Sequence, residues 1–371
     1  DAKVWTLSIG EQQKVEILKA LYRDARILIM DEPTAVLAPL ETVELFKTLR
    51  SFVNEGRSVI FISHKLNEVM EIADRIVVLR GGVVVAQRRR QETDTRELAN
   101  LMVGRDLREE TAKASAPTGQ PVLEIENLTV LSDKGLTAVK ELSLTVMERE
   151  ILGIAGVSGN GQRELAEALF GLRVPVKGEI RVKGRALRPG SPVSAISLGM
   201  ARIPEDRMGT GLLLDLSVED NLILEAHNSS EFQRMGVMNY RKIHDFSDRL
   251  IEEYNIKTAG RDAASKTLSG GNLQKVILAR ELFRDTTLVV AAQPTRGLDV
   301  GATEYVHQQI RRVREAGAGV VLISENLDEI FALSDRIAVM YEGEVLGLVP
   351  AKEATRDQVG LWMSGVRELC G

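Results

Sequence analysis

Sliding the sequence along itself by 261 residues lays Leu7, Ser8, Gly10, Gln13, Lys14 and Val15 over Leu268, Ser269, Gly271, Gln274, Lys275 and Val276. The same shift, without a gap, sets Pro33 and Thr34 on Pro294 and Thr295, and Ile62 and Ser63 on Ile323 and Ser324. It also sets Asp74, Arg75 and Ile76 on Asp335, Arg336 and Ile337. Roughly 26 of the 80 positions from Leu7 to Ala86 are identical, which shared composition does not produce in register. The chain therefore reads as two copies of one domain, and its fold must build the same kind of core twice. The counterpart of Gly156, which opens a glycine-rich loop in the second copy, falls before residue 1, so the first copy is expected to be incomplete. This divides the chain into 1–104, the C-terminal part of the first copy; 105–121, a linker; 122–355, the second copy; and 356–371, a tail. The linker, RDLREETAKASAPTGQP, is charged and rich in Ala, Pro and Thr, with no apolar period. The basic triplet Arg88–Arg90 ahead of it reads as a solvated surface patch.

The pattern within each copy is that of an α/β domain. RILIMDE and SVIFIS in the first copy, and LVVAAQ and GVVLIS in the second, are short apolar runs that follow helical segments, the rhythm of buried parallel strands joined by helices. VLEIENLTVL, from Val122, alternates like a half-buried strand, and Val218–Glu253 is mostly helical in composition, which suggests an inserted helical lobe. A net charge of −5 argues against a nucleic-acid-binding surface. The single cysteine, Cys370, permits no internal disulfide and favours a reducing compartment. The longest apolar runs, such as Ile27–Met30 and Val320–Ile323, fall far below the roughly 18 residues that span a bilayer.

Two motifs carry chemistry. ILGIAGVSGNGQREL reads as strand, glycine-rich turn and helix, the setting in which backbone N–H groups and a helix N-terminus hold phosphates. Against the pattern GxxxxGK[ST], the loop supplies Gly156, Ser158, Gly159, Asn160 and Gly161, then Gln162 where Lys belongs and Arg163 where Ser or Thr belongs. A dinucleotide-binding reading of the same loop lacks its third glycine and an acidic ribose partner. In the first copy, ILIMDEP ends an apolar strand in Asp31 and Glu32. The first carboxylate can hold Mg²⁺, usually through water, and the second can polarise a water that attacks a γ-phosphate. His64, ending SVIFISH, could contact that phosphate. Taken singly, an acidic pair at a strand end also suits a helix cap, and a lone histidine a structural role.

Together these segments resemble a known family. LSIGEQQ and LSGGNLQ look like the signature motif of ABC-type ATPases, DEPT like their Walker B segment, and His64 like their switch histidine. More narrowly, GVSGNGQREL, IPEDR (Ile203–Arg207) and PTRGLDVGA (Pro294–Ala302) resemble bacterial import ATPases for simple sugars and nucleosides. The resemblance implies a tandem P-loop NTPase fold, with a parallel-sheet core, antiparallel N-terminal strands and an inserted helical lobe.

It further implies that the two copies pair head to tail and that each ATP lies between the P-loop of one and the signature motif of the other. One site would join Asp31 (for Mg²⁺), Glu32, His64 and the first copy's own P-loop to Ser269, Gly270 and Gly271. The other would join Gly156–Arg163 to Ser8, Gly10 and Glu11, with Ala292, Gln293 and Glu325 standing where the first copy has Asp31, Glu32 and His64. That second site lacks the carboxylate, the P-loop lysine and the metal partner, groups that commonly contribute about 10² to 10⁴ each in rate. Arg163 is the candidate to restore part of the missing charge, although it cannot supply a hydroxyl. Ile9 stands opposite Gly270 and Ala38 opposite Asp299, which leaves only Asp299 for communication across the pair; IPEDR occupies the region of the family's glutamine loop.

The expected function is that of an ATP-hydrolysing subunit on the cytoplasmic face of the cell membrane. It would be peripheral, docked on an integral-membrane permease and served indirectly by a solute-binding protein, with no nucleic-acid partner. Two rivals remain at this level: a soluble tandem ABC ATPase of translation or repair, and a catalytically silent regulatory module. The strands at Ile27 and Val59 are expected to leave apolar surface uncovered, making the first copy the less stable half.

Overall fold

The computed structural model describes residues 15–16, 19, 22, 25–34, 39–63, 65–80, 82–103 and 119–366. Ser8, Ile9, Gly10, Glu11, Ala38, His64 and most of the linker lie outside the described residues. The chain divides into two units, residues 1–111 with 299–301, and residues 112–298 with 302–371.

In the first unit, strand β1 (Ile27–Asp31) runs parallel to β2 (Ser58–Ile62), and helix α1 (Pro39–Asn54) crosses between them. The period of two along β1 sends Leu28 and Met30 to one face, where they pack with Leu45, Phe46, Leu49 and Phe52 of α1. Helix α2 (Leu66–Ile72) leads to an antiparallel hairpin, β3 (Arg75–Arg80) and β4 (Val83–Arg89), and helix α3 (Thr95–Val103) follows. Ile76, Val78, Ala86 and Leu98 make a second small core there. The other face of β1 and β2 is open: Ile27 and Ile29 are 62% and 65% exposed, and Ile60 and Ile62 51% and 47%.

The second unit is larger. An antiparallel sheet of order β6-β5-β8-β9 is formed by β5 (Pro121–Leu131), β6 (Thr137–Met147), β8 (Lys177–Val182) and β9 (Arg185–Ala186). The main sheet has the order β10-β13-β14-β7-β15-β16, from β7 (Ile151–Ala155), β10 (Met200–Ile203), β13 (Leu288–Ala292), β14 (Gly319–Ser324), β15 (Arg336–Tyr341) and β16 (Glu344–Pro350). Its first five strands are mutually parallel and β16 is antiparallel, so the sheet is mixed. Alternation along these strands feeds two cores. Ile151, Val289, Ala291, Val320, Leu322 and Val339 face one cluster. Leu152, Ile154, Val290, Val321, Ile323 and Met340 face the other, which they share with the antiparallel sheet.

Helices connect the strands: α4 (Gln162–Leu169), α5 (Pro192–Ser197), α6 (Val218–Ile223), α7 (Tyr240–Glu253), α8 (Gly270–Leu282), α9 (Val300–Glu315), α10 (Leu327–Leu333) and α11 (Arg356–Met363). The 218–253 region is not helical throughout. A short hairpin, β11 (Gln233–Arg234) with β12 (Val237–Met238), turns at Met235 and Gly236, both at positive φ, and Phe232 anchors it against Phe246. Residues 356–363, expected as part of a tail, form helix α11, whose Val359 and Trp362 pack into the core of the second unit.

Corresponding elements recur at the same shift of 261. Ile27 pairs with Ser58, and Leu288 with Gly319; the hairpin irregularity between Val78 and Leu79 returns between Val339 and Met340. In the second unit, β7 stands between β14 and β15 and covers both edges; among the described residues of the first unit no strand stands between β2 and β3.

Candidate functional site

The glycine-rich loop leaves the C-terminal end of β7, whose five residues are all buried, and enters α4. A backbone hydrogen bond and an ion pair hold the strand in place. The Ile151 N–H donates to Asp335 Oδ2 at 2.8 Å, and the buried Glu150 carboxylate accepts from Arg336 Nε at 2.5 Å. Burial pushes the Asp335 carboxyl up, against the pull of the Ile151 N–H and of Arg314.

Within the loop, Gly159 and Gly161 take φ of 89° and 97°, and Gly161 is the N-cap of α4. A Cβ on Gly161 would lie 2.0 Å from the Ala138 carbonyl oxygen, so only glycine fits there. Asn160 ties the loop to the β15–β16 turn: its Oδ1 accepts from the Glu342 N–H at 2.7 Å, and its carbonyl from the Gly343 N–H at 3.0 Å. Ser158 is exposed.

The two substituted positions behave differently. Gln162 is 8% exposed and folds back over the loop. Its Nε2 donates to the Val157 carbonyl at 3.0 Å, and its Oε1 accepts from the Asn160 N–H at 3.1 Å. Gly156 makes room for it, since a Cβ there would come 2.3 Å from Gln162 Nε2. Arg163 turns outward instead. Its Nε donates to Glu167 at 2.8 Å and it lies 3.6 Å from Asp133, in a surface network that Arg173 completes. The Glu167 carboxylate holds its pKa above the ordinary value. In this structure the guanidinium is engaged one helical turn further along the helix.

The strand ends corresponding to each other in the two units share one backbone geometry. Glu32 after β1 and Gln293 after β13 both take positive φ, 45° and 47°. Their N–H groups donate to the Ile62 and Ile323 carbonyls at 2.9 and 2.8 Å. A non-glycine residue in this conformation carries strain, which is typical of functional sites. Thr34 donates to Glu68, and Thr295 to Glu329 at 2.8 Å, again in corresponding places. The chemistry at the two ends differs. The first presents the Asp31 carboxylate, exposed, and Glu32, half-buried. The second presents Ala292 and Gln293, whose Oε1 accepts from the N–H of Glu325 at 3.4 Å.

The signature segment of the second unit places Ser269 as the N-cap of α8, exposed, with its Oγ accepting from Asn272 Nδ2 at 2.9 Å. Gly270 faces open space, and a Cβ on Gly271 would meet Ala302 at 3.2 Å. The first turn of this 13-residue helix is thus sterically open to an anion. Among the described residues, no group of three or more His, Cys, Asp or Glu could hold a metal ion.

Further charged groups stand in IPEDR and at the end of α8. IPEDR meets the Arg296 segment through an ion pair between Glu205 and Arg296, and Asp206 accepts from the N–H groups of Met208 and Gly209. Burial pulls the Arg207 guanidinium down beside them. At the end of α8, the buried Glu281 accepts from Arg280 and from the N–H of Arg202, and burial pushes its carboxyl up to about 7. IPEDR is visible in the sequence as a motif, whereas charge within AREL is the only sequence signal for Glu281.

A glycine-rich loop at the end of a central parallel strand, with a second antiparallel sheet and a helical insertion, defines the ABC-type P-loop ATPase fold. The profile of the ABC transporter family matches residues 1–35 and 139–296, and the chain belongs to that family. It is 46% identical over 366 residues to the glucose import ATP-binding protein of Haloferax volcanii, across 98% of this chain and 66% of that protein. It is 44% identical over 365 residues to the guanosine import ATP-binding protein of Bacillus subtilis, and 42% identical over 365 residues to the nucleoside import ATP-binding protein of Lactococcus lactis. Each of these alignments spans 98% of this chain and 72% of the relative. Among solved structures, an ATP-binding cassette dimer bound to ADP and phosphate superposes with a TM-score of 0.53 at 21% identity, over 62% of this chain and 98% of that one. That likeness concerns the fold alone. Among the described residues no helix is long and apolar enough to cross a membrane.

Proposed function

We propose that the chain is the ATP-binding, energy-coupling component of an importer for simple sugars or nucleosides, built from two copies of one ATPase domain. The names of relatives at 42 to 46% identity support the substrate class. The recurrence of strand register at a shift of 261 supports the duplication. It acts at the cytoplasmic face of the membrane, peripherally, against separate permease subunits that a solute-binding protein serves.

The observation that carries the mechanism is the inequality of two strand ends with the same backbone. Asp31 would hold Mg²⁺ brought in with ATP, Glu32 polarises the attacking water, and His64 senses the γ-phosphate. Ser269, Gly270 and Gly271 close over that phosphate from the other copy, using the first-turn N–H groups of α8. At the second site, Ser8, Gly10 and Glu11 face Gly156–Arg163, and Ala292 and Gln293 supply neither a metal-binding carboxylate nor a base. That site clamps or idles and does not turn over. Within the 371 residues no glycine-rich loop precedes Asp31, so the chain alone is expected to hydrolyse ATP near background.

Steady-state ATPase measurements test this on the 371-residue chain and on a longer chain carrying a glycine-rich loop ahead of Asp1. The longer chain should turn over, lose about 10² to 10⁴ in rate with Glu32→Gln, and keep its rate with Gln293→Ala. Undiminished turnover with Glu32→Gln refutes the assignment.

A further inference from the structure

A phosphate-binding loop is a set of N–H donors awaiting an anion, with a cationic side chain alongside to neutralise it. In the second unit one neutral side chain fills the loop from inside, as acceptor and as donor. The Gln162 amide oxygen accepts from the Asn160 N–H at 3.1 Å, the role a phosphate oxygen has in such a loop. Its amide nitrogen donates to the Val157 carbonyl at 3.0 Å, which Asn160 Nδ2 also reaches at 3.0 Å. The side chain is more than nine-tenths buried, and Gly156 lacks the Cβ that would collide with it.

We propose that Gln162 is an internal ligand of this loop, holding it in its phosphate-binding shape without nucleotide, so that any phosphate must first displace the amide. The inference rests on the reading of Gly156–Arg163 as a phosphate loop and adds to it the residue that keeps the loop occupied. Three features support it independently of any sequence pattern. The amide bridges two backbone groups of the same loop. The next residue, Arg163, is held away by Glu167 and Asp133, so no cation competes for the position. The loop is also fastened from outside, through Asn160 to Glu342 and Gly343, so the cradle persists when its occupant leaves.

The physical consequence is a competition. A hydrogen bond to a charged acceptor is stronger than one between neutral partners, so phosphate can win, but with a handicap. An amide also offers the anion no compensating charge, unlike an ammonium group.

Hydrogen exchange at the Asn160 amide of the 371-residue chain, with and without inorganic pyrophosphate, tests the proposal in the parent, Gln162→Ala and Gln162→Lys. The lysine variant keeps a donor for the Val157 carbonyl, and so the shape of the loop, while freeing the Asn160 N–H; it serves where the alanine variant does not fold. In the parent, the Asn160 amide should be protected without any ligand, and about 1 mM pyrophosphate should change little. Both variants should exchange roughly tenfold faster when ligand-free, as expected for one lost hydrogen bond. Pyrophosphate should restore protection with an affinity about tenfold above the parent in Gln162→Ala, and higher again in Gln162→Lys. An unprotected Asn160 amide in the parent, or unchanged exchange in both variants, overturns the internal-ligand role. Release of the amide in both variants with no protection by pyrophosphate overturns the phosphate-loop reading beneath it, and the inference with it.

Discussion

Ile62 and Ile323 are the same residue at corresponding places in parallel strands, yet 47% and 2% of their surfaces are exposed. Truncating each to alanine therefore asks one chemical question in two environments. Removing three carbons from Ile323 forfeits about 2.4 kcal/mol of transfer free energy, and the enclosed site between Ile154, Val321 and Met340 adds a cavity cost, for a total of about 3.5. Ile62 has about half its surface in water already, and its open face leaves no enclosed void, so Ile62→Ala should cost about 1.2 kcal/mol. The lost β-branching is common to both and cancels. The difference, about 2 kcal/mol, is roughly thirtyfold in the local unfolding constant. Native-state hydrogen exchange over a urea series, read separately in peptides spanning β2 and β14, measures it without requiring the two units to unfold together. Equal costs within about 0.5 kcal/mol would refute the reasoning, because they mean that the face of β1 and β2 is covered in solution.

Three further outcomes follow from the geometry. Glu281 has a folded pKa near 7 against about 4.5 unfolded, so it binds its proton more tightly when folded; its contribution is full below about 4.5 and is lost as pH rises through 7. The second unit should thus lose up to about 3 kcal/mol between pH 4.5 and 8 from this group, and Glu281→Gln should flatten that slope in denaturant titrations. Gly161→Ala combines a φ of 97° with a Cβ 2.0 Å from the Ala138 oxygen, and should destabilise the second unit by more than about 2 kcal/mol in the same titrations, whereas Gly184→Ala, with open space around it, should cost less. Limited proteolysis should cut within residues 25–103 before 122–350, since the described strands of the first unit stand in separate two-stranded sheets whereas the main sheet of the second unit has six strands.

Much of the molecule could be read from residue order because the relevant physics is local. The glycine spacing of the loop, the apolar runs of β1, β2, β13 and β14, and their shared register all follow from short-range geometry repeated at one shift. The helical lobe was legible only in part. Its β11–β12 hairpin turns on Met235 and Gly236, and a methionine at positive φ is not a turn signal that pattern reading recognises. Helix α11 is a short helix of eight residues, and Val359 and Trp362 pack it on the core of the second unit.

Residue types and their repeat determined by themselves that this is an ABC-type ATPase with one acidic strand end and one that has lost its acids. Tertiary structure alone decided what the altered groups do. Gln162 turns into the loop and Arg163 away from it because the Val157 carbonyl lies in the loop ahead of α4, whereas Glu167 lies one turn along the helix. Ile323 is buried because its face of the sheet shares a core with the antiparallel sheet built from residues 121–186, far earlier in the chain, whereas Ile62 lies on an open face. Burial and hydrogen-bond choice depend on neighbours brought together from distant parts of the chain, and no local pattern encodes which of them arrive.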